Sequence, residues 1–124
     1  MQTKTEFLIW DKIVNSAKTK FDYEKYLPYF SDPKIYDTLI LHIIVGFASG
    51  ESHETISTNL HNELRHIGID VSEKVVDDII REKHIQFSSE IYATYLTFSM
   101  LEDEEDEKVI LGYVTDLLES PRVY

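Results

Sequence analysis

The segment 32–50 constrains the fold most, because it predicts a helix that is apolar on nearly every side. Asp32 can cap the start of this helix, and Pro33 suits the first helical position. The longest apolar stretch of the chain, Leu39–Ala48, then follows and is interrupted by His42. It is too short to span a bilayer. A helix without a polar face is normally buried, so we expect this helix at the centre of the fold.

Capping residues predict where several other helices begin. Thr3, followed by Glu6 three residues later, has the form of a capping box. Ser52 and Ser72 can each accept a hydrogen bond from a free amide at a helix start. Apolar residues at helical spacing predict the buried faces of these three helices. They are Phe7, Trp10, Ile13, Val14 and Ala17 in the first, Ile56, Leu60, Leu64 and Ile67 in the second, and Val75, Val76, Ile79 and Ile80 in the third.

The C-terminal third allows two interpretations. Ile91–Phe98 and Val109–Val114 are rich in residues that favour strands, which would give an α+β fold with a C-terminal β-hairpin. We prefer two helices, the first capped by Ser89 and the last ended by Ser120-Pro121. The predicted fold is therefore all-α: a compact bundle of five to seven short helices around the central apolar helix, in a single domain spanning residues 1–124.

The charge of the chain restricts its partners. Twelve Lys and Arg residues stand against 23 Asp and Glu, a net charge of -11, and residues 63–124 carry fifteen of the acids. Such a chain repels nucleic acid and anionic membranes but favours basic protein partners. The absence of cysteine excludes disulfides and thiolate chemistry. With no N-terminal signal-peptide pattern, we expect a cytoplasmic protein.

No motif predicts catalysis or metal binding. His61, Glu63 and His66 superficially resemble a zinc-protease helix, but the five-residue spacing turns the two histidines about 140° apart. The sequence has no G-x-S-x-G elbow and no phosphate-binding glycine loop. We therefore expect neither an enzyme nor a bound metal or cofactor.

Two groups of acids are candidate partner-binding residues. The first is an unbroken run of six, which must remain exposed to water. The second is a pair on the helix that Ser72 caps. Each group also has a simpler interpretation. The run would then be a solvated loop, and the pair would belong to a solvated helix face with internal salt bridges. The candidates are Glu102, Asp103, Glu104, Glu105, Asp106 and Glu107 in the run, and Asp77 and Asp78 in the pair.

Eight tyrosines provide a second indication of a binding role. Tyr23, Tyr26 and Tyr29 cannot all point inward from a short helix, and the same holds for Tyr92 and Tyr95 with their neighbours. Exposed tyrosine beside acid is the composition of an interface with a surface rich in Lys and Arg.

These features favour an acidic inhibitory binding protein that covers a basic partner. At the level of class, it resembles immunity proteins, antitoxins and phage-type inhibitors, which block a basic, nuclease-like partner such as a bacterial nuclease toxin. A helical adaptor or structural subunit of a larger protein assembly is the alternative, and an enzyme or metal-binding protein is a third. The sequence leaves the oligomeric state open.

Overall fold

Seven helices and no strands make up residues 3–119, the part of the chain that the computed structural model describes. The all-α fold predicted from the sequence is confirmed, and the segment 91–114 needs no β-hairpin. The predicted end at Ser120-Pro121 lies outside the described residues. The helices are α1 (Lys4–Thr19), α2 (Tyr23–Tyr26), α3 (Pro33–Ala48), α4 (His53–His66), α5 (Glu73–Gln86), α6 (Ser88–Glu102) and α7 (Glu107–Glu119).

Four of the helix starts are capped as predicted. The side chains of Thr3, Asp32, Ser52 and Ser72 each accept a hydrogen bond from an amide in the first turn of α1, α3, α4 and α5 respectively. Each bond satisfies one of the amides that a helix start leaves without a partner inside the helix. Local sequence therefore determines where these four helices begin.

The apolar helix α3 lies at the centre of the bundle. It packs against α1, α4, α5 and α6, and its Leu39, Ile40 and Ile43 are fully buried. On one side α4 and α5 form a packed pair, and on the other α1, α6 and α7 pack against one another. Among residues 3–119, no helix is both long and apolar enough to cross a membrane.

Side-chain contacts along α1, α6 and α7 fix the directions of these three helices. Thr3, which caps α1, and Lys12 of α1 contact Glu107 and Glu119 of α7 in the same order, so these two helices run parallel. Ser16 of α1 instead contacts the start of α6, while the ring of Trp10 packs at a tilt against that of Phe98 near its end, with ring centroids 5.3 Å apart. Helix α6 is therefore antiparallel to α1.

Some predicted details are wrong. Ser89 does not cap α6, because α5 and α6 are separated only by the buried Phe87, whose amide closes α5 and whose carbonyl opens α6. Phe7 and Ile67, placed in the core by spacing, are 57% and 45% exposed. The buried face of α1 is centred on Ile9 and Ile13, and Phe7 lies about 200° around the helix from Ile9.

Candidate protein-binding surface

The six consecutive acids form the turn between α6 and α7, which we call the acidic turn (residues 102–107). Glu102 is the last residue of α6, and Glu104 adopts a left-handed conformation with φ of 58°. The next amide, that of Glu105, donates to the carbonyl of Met100 at 2.9 Å. This pattern is the usual way to end a helix, with glycine normally at the left-handed position.

The second half of the turn starts helix α7. The carboxylate of Asp106 accepts a hydrogen bond from the amide of Lys108 at 2.8 Å and so caps the new helix. The carboxylate of Glu107 accepts a hydrogen bond from the hydroxyl of Thr3. These two acids therefore have structural roles, and the turn has a defined backbone rather than that of an open loop.

The charge of the acidic turn is not neutralised within the described chain. None of its six carboxylates forms an ion pair with any residue in the range 3–119. Glu102 and Asp103 lie at the C-terminal end of α6, where the helix dipole disfavours negative charge. The left-handed Glu104 adds a backbone cost of about 1 kcal/mol. The first part of the turn thus concentrates negative charge where local structure does not favour it, whereas its last two acids lie at the start of α7, where the helix dipole favours them.

An exposed apolar face of α7 adjoins the acidic turn. The buried face of α7 contains Ile110 and Val114. The residue before each of them, Val109 and Tyr113, lies about 100° around the helix and is exposed. Tyr113 is 59% exposed. The sequence analysis did not single out Val109 or Tyr113, because the segment also suited a strand. The helical phase set by Ile110 and Val114 is the signal that identifies them.

Asp77 and Asp78 lie elsewhere and differ from each other. Asp77 is half-buried, accepts a hydrogen bond from Nε of Arg81 at 2.9 Å and lies 3.2 Å from Nδ1 of His53. Asp78 is exposed and lines a small cavity with Tyr26 and Tyr29. Within residues 3–119, α5 and α7 share no contact. The structure therefore places the two predicted acidic groups on separate helices and does not bring them together.

The tyrosines divide between core and surface, as predicted. Tyr26 is buried, whereas Tyr23 and Tyr29 are exposed, as are Tyr92 and Tyr95 on α6. The exposed members are scattered over α2, the turn that follows it, α6 and α7. Tyr113 is the one that follows the acidic turn along its own helix.

A polar cluster that the sequence analysis missed joins α2 to α5. The carboxylate of Glu82 accepts hydrogen bonds from Lys25 at 2.6 Å and from the hydroxyl of Tyr26 at 2.8 Å. Burial alone would raise the pKa of Glu82, but these two donors and the nearby charge of Lys83 outweigh it and lower the pKa to about 2. For Tyr26, burial and the hydrogen bond to Glu82 both raise the pKa.

Lys83 is fully buried at the centre of this cluster. Its ammonium lies 4.7 Å from the ring centroid of Phe21 and 5.4 Å from that of Tyr26, and it donates to the side chain of Gln86 at 2.7 Å. Cation–π attraction and hydrogen bonds together compensate for burying the charge. Lys25, Tyr26 and Glu82 of the same cluster line a small surface cavity, whereas the ammonium of Lys83 is enclosed by the protein.

The histidines have separate environments. Nε2 of His61 lies 3.0 Å from the carbonyl oxygen of Val71, and the ring of His84 stacks on Phe47 at 3.8 Å. Nε2 of His53 is buried without a hydrogen-bond partner. Within the described segment 3–119, no three His, Cys, Asp or Glu side chains are grouped so that they could hold a metal ion.

Residues 3–119 thus form an all-α bundle with an acidic turn and an adjoining exposed apolar face that includes a tyrosine, a residue type enriched in protein–protein interfaces. Comparisons with protein-family models, curated proteins and solved structures found no match for this chain. Geometry and charge therefore carry the functional assignment.

Proposed function

We propose that this protein is an acidic inhibitory binding protein, of the immunity-protein, antitoxin or phage-inhibitor kind, that covers the basic groove of a nuclease-like partner. The observation that carries the proposal is the acidic turn, whose six carboxylates have no ion pair within residues 3–119. A basic groove that binds phosphates offers the complementary charge.

The mechanism is occlusion rather than chemistry. The net charge of -11 attracts a basic partner over a long range and speeds association, most strongly at low salt. The exposed side chains of Val109 and Tyr113 then provide apolar contact beside the charged one. Once bound, the chain blocks access of nucleic acid to the partner by volume and by repulsion.

Affinity capture identifies the partner, and inhibition tests the mechanism. The immobilised chain is exposed to a lysate of its source cells at about 50 mM salt and eluted in steps to about 1 M, because salt screens electrostatic binding. We expect stoichiometric capture of one basic protein with nuclease activity, which the free chain then inhibits. Capture of an acidic or neutral complex that resists high salt would contradict the proposal.

Neutralising the acidic turn tests its role in binding. The variant E102Q/D103N/E104Q/E105Q removes four charges and retains Asp106 and Glu107, which support α7. We expect association with the captured partner to slow by about tenfold or more and its salt dependence to flatten. Stopped-flow fluorescence measures both.

A matched control separates the turn from net charge alone. The variant D22N/E24Q/E54Q/D70N also removes four exposed acids, none of them in an ion pair within residues 3–119. It should slow association much less. Equal slowing by both variants would show that total charge, and not the acidic turn, controls binding.

A subunit of a larger assembly is the second candidate, supported by the outward face of α6. Tyr92, Tyr95 and Phe98 are all exposed there, and together they form more aromatic surface than a solitary small protein needs. Light scattering after size-exclusion chromatography tests this candidate. A stable oligomer that persists at about 1 M salt would favour it over the inhibitor.

A further inference from the structure

Helix α3 presents two aliphatic side chains to solvent although it is the central helix. Beyond its first turn, Leu41 and Val45 are its only exposed residues, at 44% and 37%. They are four residues apart and therefore lie on one face, one turn from each other. The most exposed residues of α3 beyond its first turn are thus apolar, where polar residues normally stand.

These two side chains line a groove between α3 and α4 with a volume of about 520 Å³. The buried Ile56 of α4 lines it as well, because Gly46 lets α4 approach closely. A Cβ atom at Gly46 would lie 2.7 Å from Cγ1 of Ile56, which is too close for any side chain. The groove is therefore a consequence of tight packing between the two helices rather than of a loosely packed surface.

Four polar side chains line the groove, and two of them are acidic. Glu51, in the loop before α4, and Glu63, near the end of α4, line it together with His42 and Asn59, and no Lys or Arg does. Neither carboxylate forms an ion pair with a residue in the range 3–119. An apolar strip with two unneutralised carboxylates favours an occupant that is both apolar and cationic.

We propose that the groove between α3 and α4 binds a short amphipathic helix of a partner protein, with aliphatic residues four apart and Lys or Arg beside them. From Ile56 to Glu63 the groove follows α4 for about 10 Å, which matches about two turns of a bound helix. This inference goes beyond the proposed function and does not depend on the acidic turn, because α7 contacts neither α3 nor α4 within residues 3–119.

Charge disfavours two other occupants. Nucleic acid would place phosphates against Glu51 and Glu63. A second copy of the chain would bring together two molecules that each carry a net charge of -11, and no Lys or Arg lines the groove. A cationic amphipathic helix meets neither objection.

An NMR titration of the ¹⁵N-labelled full chain tests the groove. The probe is a synthetic Leu/Lys peptide of about 18 residues, long enough to be helical, with leucines at helical spacing. A Leu/Glu peptide of the same pattern and a Leu/Lys peptide with the leucines out of phase are its controls. We expect saturable shifts at Leu41, Val45 and Glu63 with the probe, and much weaker shifts with either control.

Paired variants assign the binding to the groove. We expect L41N/V45N and E51Q/E63Q each to weaken binding of the probe by about tenfold. The control variant L27N/E54Q, which changes an exposed leucine and an exposed acid outside the groove, should bind like the unmodified chain. Circular dichroism verifies that every variant is folded.

Several results would overturn the inference. The inference fails if the peptide shifts only residues 102–107, if the out-of-phase peptide binds equally well, or if no peptide binds saturably. It also fails if the groove signals shift with protein concentration alone, which would indicate that a second copy occupies the groove. The variant E102Q/D103N/E104Q/E105Q must still bind the probe at the groove. A failure of the inhibitor proposal would leave that result unchanged, so the two can fail separately.

Discussion

Single residues in this protein carry identifiable local costs, and Glu104 is the clearest example. It has a positive φ of 58°, a conformation in which its Cβ crowds the backbone, and it stands in the middle of six acids. Glycine at the same position would avoid both the crowding and the charge. Glu104 is therefore the position where stability and the proposed binding role conflict most directly.

Replacing Glu104 by glycine should stabilise the fold. We expect E104G to raise the free energy of unfolding by about 0.5–1 kcal/mol, because glycine adopts the left-handed conformation without strain. Urea unfolding measures the change. The control E104Q removes the charge and keeps the strain, so it should gain less. If E104Q gained as much, repulsion rather than backbone conformation would be the cause.

Glu82 gives the stability a defined pH dependence. Its pKa falls from the ordinary 4.5 to about 2 on folding, so the ionised form stabilises the fold above about pH 4.5, and this contribution is lost as the pH falls towards 2. At pH 7 we expect E82Q to be less stable by on the order of 1–2 kcal/mol, after allowing for solvent screening.

Unfolding of E82Q and the unmodified chain at pH 7 and at about pH 2.5 distinguishes this effect from a simple packing defect. The difference in the free energy of unfolding between the two proteins should be smaller at the lower pH. The exposed Glu24 has no ion pair within residues 3–119, so E24Q is the control and should change the free energy of unfolding little. A difference for E82Q that stays constant with pH would contradict the assignment of the low pKa.

Between elements, one buried carboxylate ties α1 to α6. Glu90 has no exposed surface and accepts hydrogen bonds from Ser16 at 2.6 Å and from Lys20 at 2.9 Å. A buried carboxylate is stable only while it has such donors, so loss of one donor is costly. Its contacts, together with the packing of Trp10 against Phe98, fix the antiparallel register of the two helices.

Removing the cation from this pair should destabilise the fold. We expect K20A to lower the free energy of unfolding by roughly 2–3 kcal/mol, because Glu90 loses its charged partner while remaining buried. The matched control is K12A, whose partner Glu119 is 65% exposed, and it should cost less than about 1 kcal/mol. Thermal and urea unfolding measure both, and equal costs would contradict the argument.

The helices differ in how far the sequence could predict them. The starts of α1, α3, α4 and α5 depend on local capping, so four residues sufficed to locate them. The start of α6 depends instead on the buried Phe87, which is held by neighbouring helices and has no local signature. Phe7 could not be placed correctly for a similar reason. Helical spacing shows which residues lie near one another on the helix, but the packing of the other helices decides which of them are buried.

For the whole molecule, the candidate site was predictable only in part. A run of six acids is visible in the sequence, but its place in a closed turn beside Tyr113 depends on the helical phase of α7. The cluster around Lys83 and the groove between α3 and α4 each join residues from different helices, and Lys83 reads as an ordinary surface lysine in the sequence. Contacts between distant residues do not follow from local pattern.

The contact of Trp10 with Phe98 also determines what an optical experiment on this chain observes. Trp10 is the single tryptophan, so its emission reports the separation of α1 from α6. The α4–α5 pair contains no tryptophan and packs mainly against α3, with a smaller contact between α5 and α6. Opening of that pair alone would lower the helical circular dichroism while the fluorescence stayed constant. Coincidence of the two signals is therefore a direct readout of whether both sides of α3 unfold together.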